Sequence, residues 1–85
     1  MKITRDEFVL YLKMGREIEF SYNGKAYFLT PNYPKKHHYF LETEEMKDKW
    51  IRISEGEIDE ILNFKFEGIH SLHDDIKEFE FNYIL

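Results

Sequence analysis

The stretch GREIEFSYNGKAYFLT, residues 15–30, decides the fold of this chain. Every second residue from Ile18 to Tyr22 is apolar and the residues between them are polar, which is the period of a half-buried β-strand. Asn23 and Gly24 follow, and they predict a two-residue type I′ turn because both central residues of that turn adopt positive φ. The stretch therefore predicts a β-hairpin.

The register of this hairpin follows from its turn. A two-residue turn places Phe20 opposite Tyr27 and Ile18 opposite Leu29. These four apolar side chains then share one face of the two strands. We expect the hairpin to form one edge of a sheet, with its apolar face covered by a helix.

A helix is predicted before the hairpin. Thr4 and Glu7 are three residues apart and form a capping box, which marks the start of a helix. The helix ends at Met14, because Gly15 is suited to the left-handed conformation that follows a helix. Its body, FVLYLKM, is apolar nearly all round. Such a helix is either unusually well buried or offers a second face to a partner.

Two more strands are expected after a loop. The segment PNYPKKHH (31–38) contains two prolines, which cannot donate to a β-ladder, and is predicted to be the loop. The segments YFLET (39–43) and KWIRIS (49–54) are predicted to be strands joined by the charged turn EEMKD.

The C-terminal half is predicted to contain a second helix and a closing strand. Ser54 and Glu57 repeat the capping-box spacing, so a helix is expected over residues 55–63. The closing segment EFEFNYIL (78–85) predicts a strand, because large apolar residues occupy alternate positions. These residues are Phe79, Phe81, Tyr83 and Leu85. The predicted fold is a single α+β domain over residues 1–85, with a mainly antiparallel sheet of four or five strands and two helices packed on one face.

The composition excludes several classes of protein. At 42% apolar and 34% charged residues, the chain is neither disordered nor membrane-like. The absence of cysteine excludes disulfides, thiolate metal sites and thiol catalysis. The N-terminus has no apolar signal region and the longest apolar run, FVLYL, is much shorter than a membrane span. We therefore expect a cytoplasmic protein without membrane contact.

The charge is unevenly distributed. Residues 1–36 carry seven Lys and Arg against four Asp and Glu, and residues 37–85 carry five against thirteen. A net charge of −5 disfavours nucleic-acid binding, which depends on cationic contacts to phosphate. An acidic surface is usually a solvated face, and the functional alternative is a basic protein partner.

The histidines suggest an alternative function. His70 and His73 are three residues apart and are followed by Asp74, a spacing that can place two metal ligands on one helical face. A third ligand would have to come from elsewhere in the chain, and the carboxylates beside the histidines equally suit a capped turn. The alternative function is therefore a small-molecule or metal-binding domain around these residues.

The predicted loop interleaves aromatic and basic residues. Its candidate contact residues are Tyr33, Lys35, Lys36, His37 and His38. Aromatic and basic side chains together can stack on bases and bind phosphates. In an acidic protein the favoured interpretation is a solvated connecting loop, and nucleic-acid binding is the weaker one.

No catalytic or cofactor pattern is present. Carboxylate pairs are frequent, but nothing in the sequence marks one as buried, and acid–base catalysis requires a shifted pKa. The four glycines are scattered, so there is no phosphate-binding loop. The sequence predicts a protein that is not an enzyme and has no cofactor.

An apolar patch is also predicted. Val9, Leu10 and Met14 on the first helix and Phe28 on the hairpin are expected to form one contact surface. In a domain of this size, pairing two such surfaces about a two-fold axis enlarges the core. A homodimer is thus the alternative to a monomer with an ordinary surface.

The helix, the GREIEF segment, the YNGK turn and the EFEFNYIL ending resemble small uncharacterised proteins of low-GC Gram-positive bacteria (Firmicutes) and their mobile elements. The resemblance implies a bacterial or prophage origin and assigns no functional residues. The favoured hypothesis is a non-catalytic interaction or regulatory protein, acting as an acidic decoy for a basic host protein.

Overall fold

The hairpin of residues 15–30 lies at the centre of a five-stranded antiparallel sheet, not at its edge. The computed structural model describes all residues 1–85. Its helices and strands are α1 (Arg5–Lys13), β1 (Ile18–Tyr22), β2 (Lys25–Pro31), β3 (His38–Met46), β4 (Lys49–Glu57), α2 (Ile58–Asn63) and β5 (Glu80–Ile84). The strand order is β4-β3-β2-β1-β5, and neighbouring strands are antiparallel. The predicted α+β class is confirmed, as is a sheet of five strands.

The predicted hairpin register is confirmed. Ile18 pairs with Leu29 and Phe20 pairs with Tyr27 across the turn. Asn23 has φ 51° and therefore adopts the left-handed conformation that a type I′ turn requires. All four paired side chains are buried, so turn chemistry and hydrophobic pattern specify the same face.

Helix α1 covers the buried face of the sheet. The capping box is formed in full: Thr4 Oγ1 accepts from Glu7 N at 3.1 Å, and Glu7 Oε1 accepts from Thr4 N at 2.8 Å. Phe8 and Leu12 point into the core and are fully buried. The ring of Phe8 packs against that of Phe81 on β5, with centroids 5.5 Å apart. Together with α2 and the segment that carries Phe66 and Phe79, helix α1 and the sheet bury one continuous core.

The second predicted helix forms and ends at Asn63 as expected, but it begins at Ile58 and not at residue 55. Ser54 does not cap a helix, because β4 continues through it and Ser54 pairs with Leu41 of β3. Helix α2 begins after Glu57, whose backbone N–H donates to Glu60 Oε1 at 3.0 Å, and it has only six residues. Pairing with β3 continues through residues 54–57, and this tertiary contact overrides the local capping signal. Of the two helices predicted to pack on one face, only α1 exceeds two turns.

The closing strand is confirmed, but its alternation is not maintained. Phe79 and Phe81 are buried, whereas Tyr83 is 40% exposed and Leu85 is 60% exposed. The pairing between β1 and β5 shifts by one residue at Asn82. This β-bulge turns Tyr83 away from the core, toward the opposite face of the sheet.

The strands after the loop are longer than predicted. Loop residues 32–37 separate β2 from β3, and only Lys47 and Asp48 lie between β3 and β4. The two strands therefore form a long hairpin, with one unpaired residue at Ile53 in β4. No helix in the chain has the length and apolar character needed to span a membrane.

Candidate functional site

One face of the sheet has no helix on it, and we call it the open face. In β1 the buried residues Ile18 and Phe20 point toward α1, so Glu19 and Ser21 point to the other side. The strand pairing carries this alternation across the sheet. The open face consists of Glu19, Ser21, Ala26, Phe28, Thr30, His38, Phe40, Glu42, Glu44, Trp50, Arg52, Glu55, Glu80, Asn82 and Tyr83. None of these residues is buried.

Aromatic side chains form the part of the open face on β2, β3 and β4. The rings of Phe28 and Trp50 meet edge to face, with centroids 6.2 Å apart. The guanidinium carbon of Arg52 lies 3.6 Å above the ring of Phe40. Stacking of this kind holds the arginine side chain flat on the sheet. The face therefore offers a preformed aromatic surface.

Carboxylates surround this aromatic surface. Glu19, Glu42, Glu44, Glu55 and Glu80 lie on four of the five strands, and Arg52 is the one Lys or Arg on the open face. Glu17, just before β1, accepts a hydrogen bond from Thr30 Oγ1 at 3.2 Å. The open face consequently carries more negative than positive side chains, with Glu80 paired to the N-terminal ammonium group and to Lys2.

Two groups on β5 illustrate the electrostatics of this face. The N-terminal ammonium group donates a hydrogen bond to Glu80 Oε1 at 2.8 Å, and this contact holds the pKa of that carboxyl below its ordinary value. Burial, followed by the charge of Glu19, raises the pKa of the Tyr83 hydroxyl. Around neutral pH the side chain of Glu80 is therefore a carboxylate and that of Tyr83 is a neutral phenol.

The structure brings the predicted loop residues together. Tyr33, Lys35, Lys36 and His37 are exposed, and with His38 they line an open cavity of about 360 Å³ beside the end of α1. His38 belongs to β3 and is half-buried, with its Nδ1 atom 3.1 Å from the side-chain nitrogen of Asn32. The loop thus presents a small basic group that adjoins the acidic face at His38, whose Nε2 lies 3.9 Å from Glu55 Oε2.

The predicted metal ligands do not converge. His70 Nδ1 lies 2.7 Å from the hydroxyl of Tyr22, and His73 Nδ1 lies 3.2 Å from Arg5 Nη1. Asp74 is beside His73, with 3.8 Å between Oδ1 and Nε2. No group of three His, Asp or Glu side chains in the chain is arranged to hold a metal ion. The geometry gives the metal-binding hypothesis no support.

The predicted apolar patch is wrong as a single surface. Leu10 is 56% exposed and Met14 is 54% exposed, both on the α1 side, and Val9 packs partly against the core. Phe28 lies on the open face, so the sheet separates it from α1. The orientation of Phe28 is readable in the sequence. Phe28 lies between Tyr27 and Leu29, whose side chains are buried, and therefore points to the face of the strand opposite theirs.

Sequence reasoning missed Phe40, Trp50 and Arg52, which form the aromatic part of the open face. Phe40 alternates with the buried residues Tyr39 and Leu41, and this alternation is readable in the sequence. In β4 the extra residue at Ile53 breaks the alternation, so the facing of Trp50 and Arg52 requires the paired structure.

The interior contains no charged side chain. The buried polar side chains are those of Thr43 and Ser71, and no buried side-chain nitrogen or oxygen lacks a hydrogen-bond partner. Thr43 Oγ1 donates to the carbonyl of Ala26, and Ser71 Oγ accepts from the backbone N–H of Asp74. Both hydroxyls are thus accounted for by structural contacts.

Comparisons with protein-family models, curated protein sequences and solved structures found no significant match.

Proposed function

We propose that this protein is a non-catalytic interaction protein that binds a basic protein partner through the open face of its sheet. One observation carries the proposal: the sheet leaves a whole face uncovered, and that face carries carboxylates on four of its five strands but a single arginine. Such a surface attracts a positively charged partner over distances of about a Debye length, roughly 8–10 Å at moderate salt.

The aromatic residues of the open face supply the short-range part of the interaction. Phe28, Phe40 and Trp50 are partly exposed and lie among the carboxylates. Aromatic side chains at the centre of an interface contribute most of the binding energy, whereas charges around them mainly set the rate and specificity of association. The face combines both elements on a rigid β-sheet.

The partner class is a basic protein that handles nucleic acid. Its cationic surface normally contacts phosphates, and an acidic face can occupy the same surface and block it. The chain then acts as a decoy for that surface. The net charge of −5 supports this assignment because it disfavours direct binding of nucleic acid.

The experiment is affinity capture from the host organism with three versions of the protein: wild type, Glu42→Lys and Glu78→Lys. Glu42 lies on the open face, whereas Glu78 is an exposed residue outside it, so the two substitutions change net charge equally. We expect a basic partner to bind the wild type and Glu78→Lys, to bind Glu42→Lys at least about tenfold more weakly, and to dissociate as salt rises.

The decoy activity is then measured with the purified partner. Wild-type protein should displace nucleic acid from the partner, and Glu42→Lys should do so poorly. The proposal fails if no partner binds at low salt, or if Glu42→Lys and Glu78→Lys capture the same protein equally well.

A further inference from the structure

The two edges of the sheet are not equivalent. At the β5 edge, the nitrogen of Met1 donates to the carbonyl of Phe81 at 2.7 Å, and Phe81 N donates to the carbonyl of Met1 at 3.0 Å. The N-terminal residue therefore occupies the edge of β5. Strand β4 forms the other edge and has no strand beyond it. A nine-residue edge strand with free backbone groups is a template for pairing with another chain.

The pairing pattern shows which backbone groups of β4 point outward. Asn32 N donates to the carbonyl of His38 at 2.8 Å, so the backbone groups of His38 point toward β2. In an antiparallel strand successive residues point to alternate sides, so Leu41 points toward β4 and bonds Ser54. The neighbouring residue in β4, Glu55, therefore points its N–H and C=O away from the sheet.

The same reasoning extends along the strand. Because the bulge at Ile53 adds one residue, the alternation resumes at Arg52, and Trp50 is the next outward residue. Glu57 also lies on the outward side, but its N–H already donates to Glu60 Oε1 at the start of α2. The free backbone groups of β4 thus belong to Trp50, Arg52 and Glu55.

The outward residues of two β4 strands can be paired about a two-fold axis. We propose that β4 pairs antiparallel with β4 of a second copy about a two-fold axis, joining two five-stranded sheets into one continuous sheet. In this register Arg52 lies opposite Glu55 of the second copy, and these two residues exchange backbone hydrogen bonds on both sides of the axis. Trp50 then falls opposite Glu57, at the end of the shared ladder.

The charges favour this register. Arg52 and Glu55 lie on the same face of β4, so each arginine meets a glutamate of the second copy, and the two-fold axis repeats the pair. Arg52 forms no ion pair within its own chain. Its guanidinium stacks on Phe40 of β3, so the arginine side chain turns from β3 toward the free edge when it meets the glutamate of the second copy.

Apolar exposure on β4 supports the same interface. Trp50, Ile51 and Ile53 are large apolar side chains, yet they are 36–37% exposed. Pairing along the strand covers part of these side chains with the main chain and side chains of the second copy. The interface does not depend on the proposed function, because no other protein takes part in it.

The test uses reciprocal charge reversal. Sedimentation equilibrium of the wild type should give a dimer, with twice the 10.5 kDa mass of the chain. Arg52→Glu and Glu55→Arg each place like charges opposite each other, and each should raise the dimer dissociation constant at least about tenfold. An equimolar mixture of the two variants should form a heterodimer. In it the introduced glutamate faces the introduced arginine, and the unchanged Arg52 of one variant faces the unchanged Glu55 of the other.

Hydrogen exchange locates the interface. The amides of Arg52 and Glu55 should exchange more slowly as the wild-type concentration rises. Glu55→Arg retains the stack of Arg52 on Phe40. If circular dichroism shows that Arg52→Glu is unfolded, the dissociation constant of Glu55→Arg alone decides the proposal. The proposal is overturned by a wild type that stays monomeric at hundreds of micromolar, by Glu55→Arg dimerising as strongly as the wild type, or by folded variants that fail to associate when mixed.

Discussion

At the scale of single residues, Tyr39 connects three parts of the structure. Its ring is buried in the core, and its hydroxyl donates to the carbonyls of Leu12 at 2.7 Å and Arg16 at 3.1 Å. The first carbonyl is in the last turn of α1 and the second is just before β1. Burial, with a smaller effect of Tyr33, raises the pKa of Tyr39 to about 12. One neutral phenol therefore fixes the end of α1 to the sheet.

Tyr39→Phe should lower the free energy of unfolding by about 1–3 kcal/mol at pH 7, because two carbonyl groups lose a buried donor. Since the folded pKa is above the ordinary value of 10.0, wild-type stability is complete below about pH 10 and falls as pH rises toward 12. The variant should show a weaker decrease over that range. Urea unfolding from neutral to alkaline pH measures both effects. Tyr33→Phe, at an exposed hydroxyl, is the control and should stay within about 0.5 kcal/mol of the wild type.

At the scale of elements, the two helices show how a local signal is used or overridden. Thr4 and Ser54 carry the same capping-box pattern, each with glutamate three residues later. Thr4 caps α1 because no strand competes for its backbone. Ser54 lies in β4, where pairing with β3 extends to Glu57, and the helix begins only after the ladder ends.

The two positions therefore respond differently to alanine. Thr4→Ala should destabilise the protein by about 1 kcal/mol, because Glu7 N loses its acceptor at the helix start. Ser54→Ala should change stability by less than about 0.5 kcal/mol, because the hydroxyl caps nothing. Thermal or urea unfolding of both variants under identical conditions provides the comparison. Equal losses at the two positions would contradict the assigned start of α2.

At the scale of the whole molecule, the sheet separates two surfaces of different character. Helix α1 presents scattered exposed side chains such as Leu10, and Met14 follows at its end; isolated exposed apolar residues are ordinary on proteins. The open face collects carboxylates and aromatic side chains, and the β4 edge carries free backbone groups. The surfaces with binding character thus lie on the side away from α1 and along β4.

Leu10→Glu tests this separation. The side chain is 56% exposed on the far side of α1 from the sheet, so we expect no change in the mass measured by sedimentation equilibrium. Stability should change by less than about 0.5 kcal/mol, as for other surface substitutions. Glu55→Arg measured alongside should weaken the dimer. Loss of the dimer in a folded Leu10→Glu protein would instead place the interface on α1.

The sequence by itself determined the local elements whose signals lie within a few residues. The hairpin register from Ile18 to Leu29 was predicted correctly because turn type and alternation constrain the same pairs. The start and end of α1 followed from Thr4, Glu7 and Gly15 for the same reason. At these sites the propensity, the cap and the hydrophobic pattern all agree.

Tertiary structure decided the features that depend on distant strands. The central position of the hairpin, the length of β4 and the bulges at Ile53 and Asn82 are set by pairing between segments far apart in the sequence. The bulge at Asn82 moves Tyr83 to the face opposite the one that strict alternation predicts. The bulge at Ile53 interrupts the alternation of β4, so the pairing with β3 is needed to place Arg52 on the open face. The candidate site is a product of that pairing, because a face exists only once the strands are assembled in order.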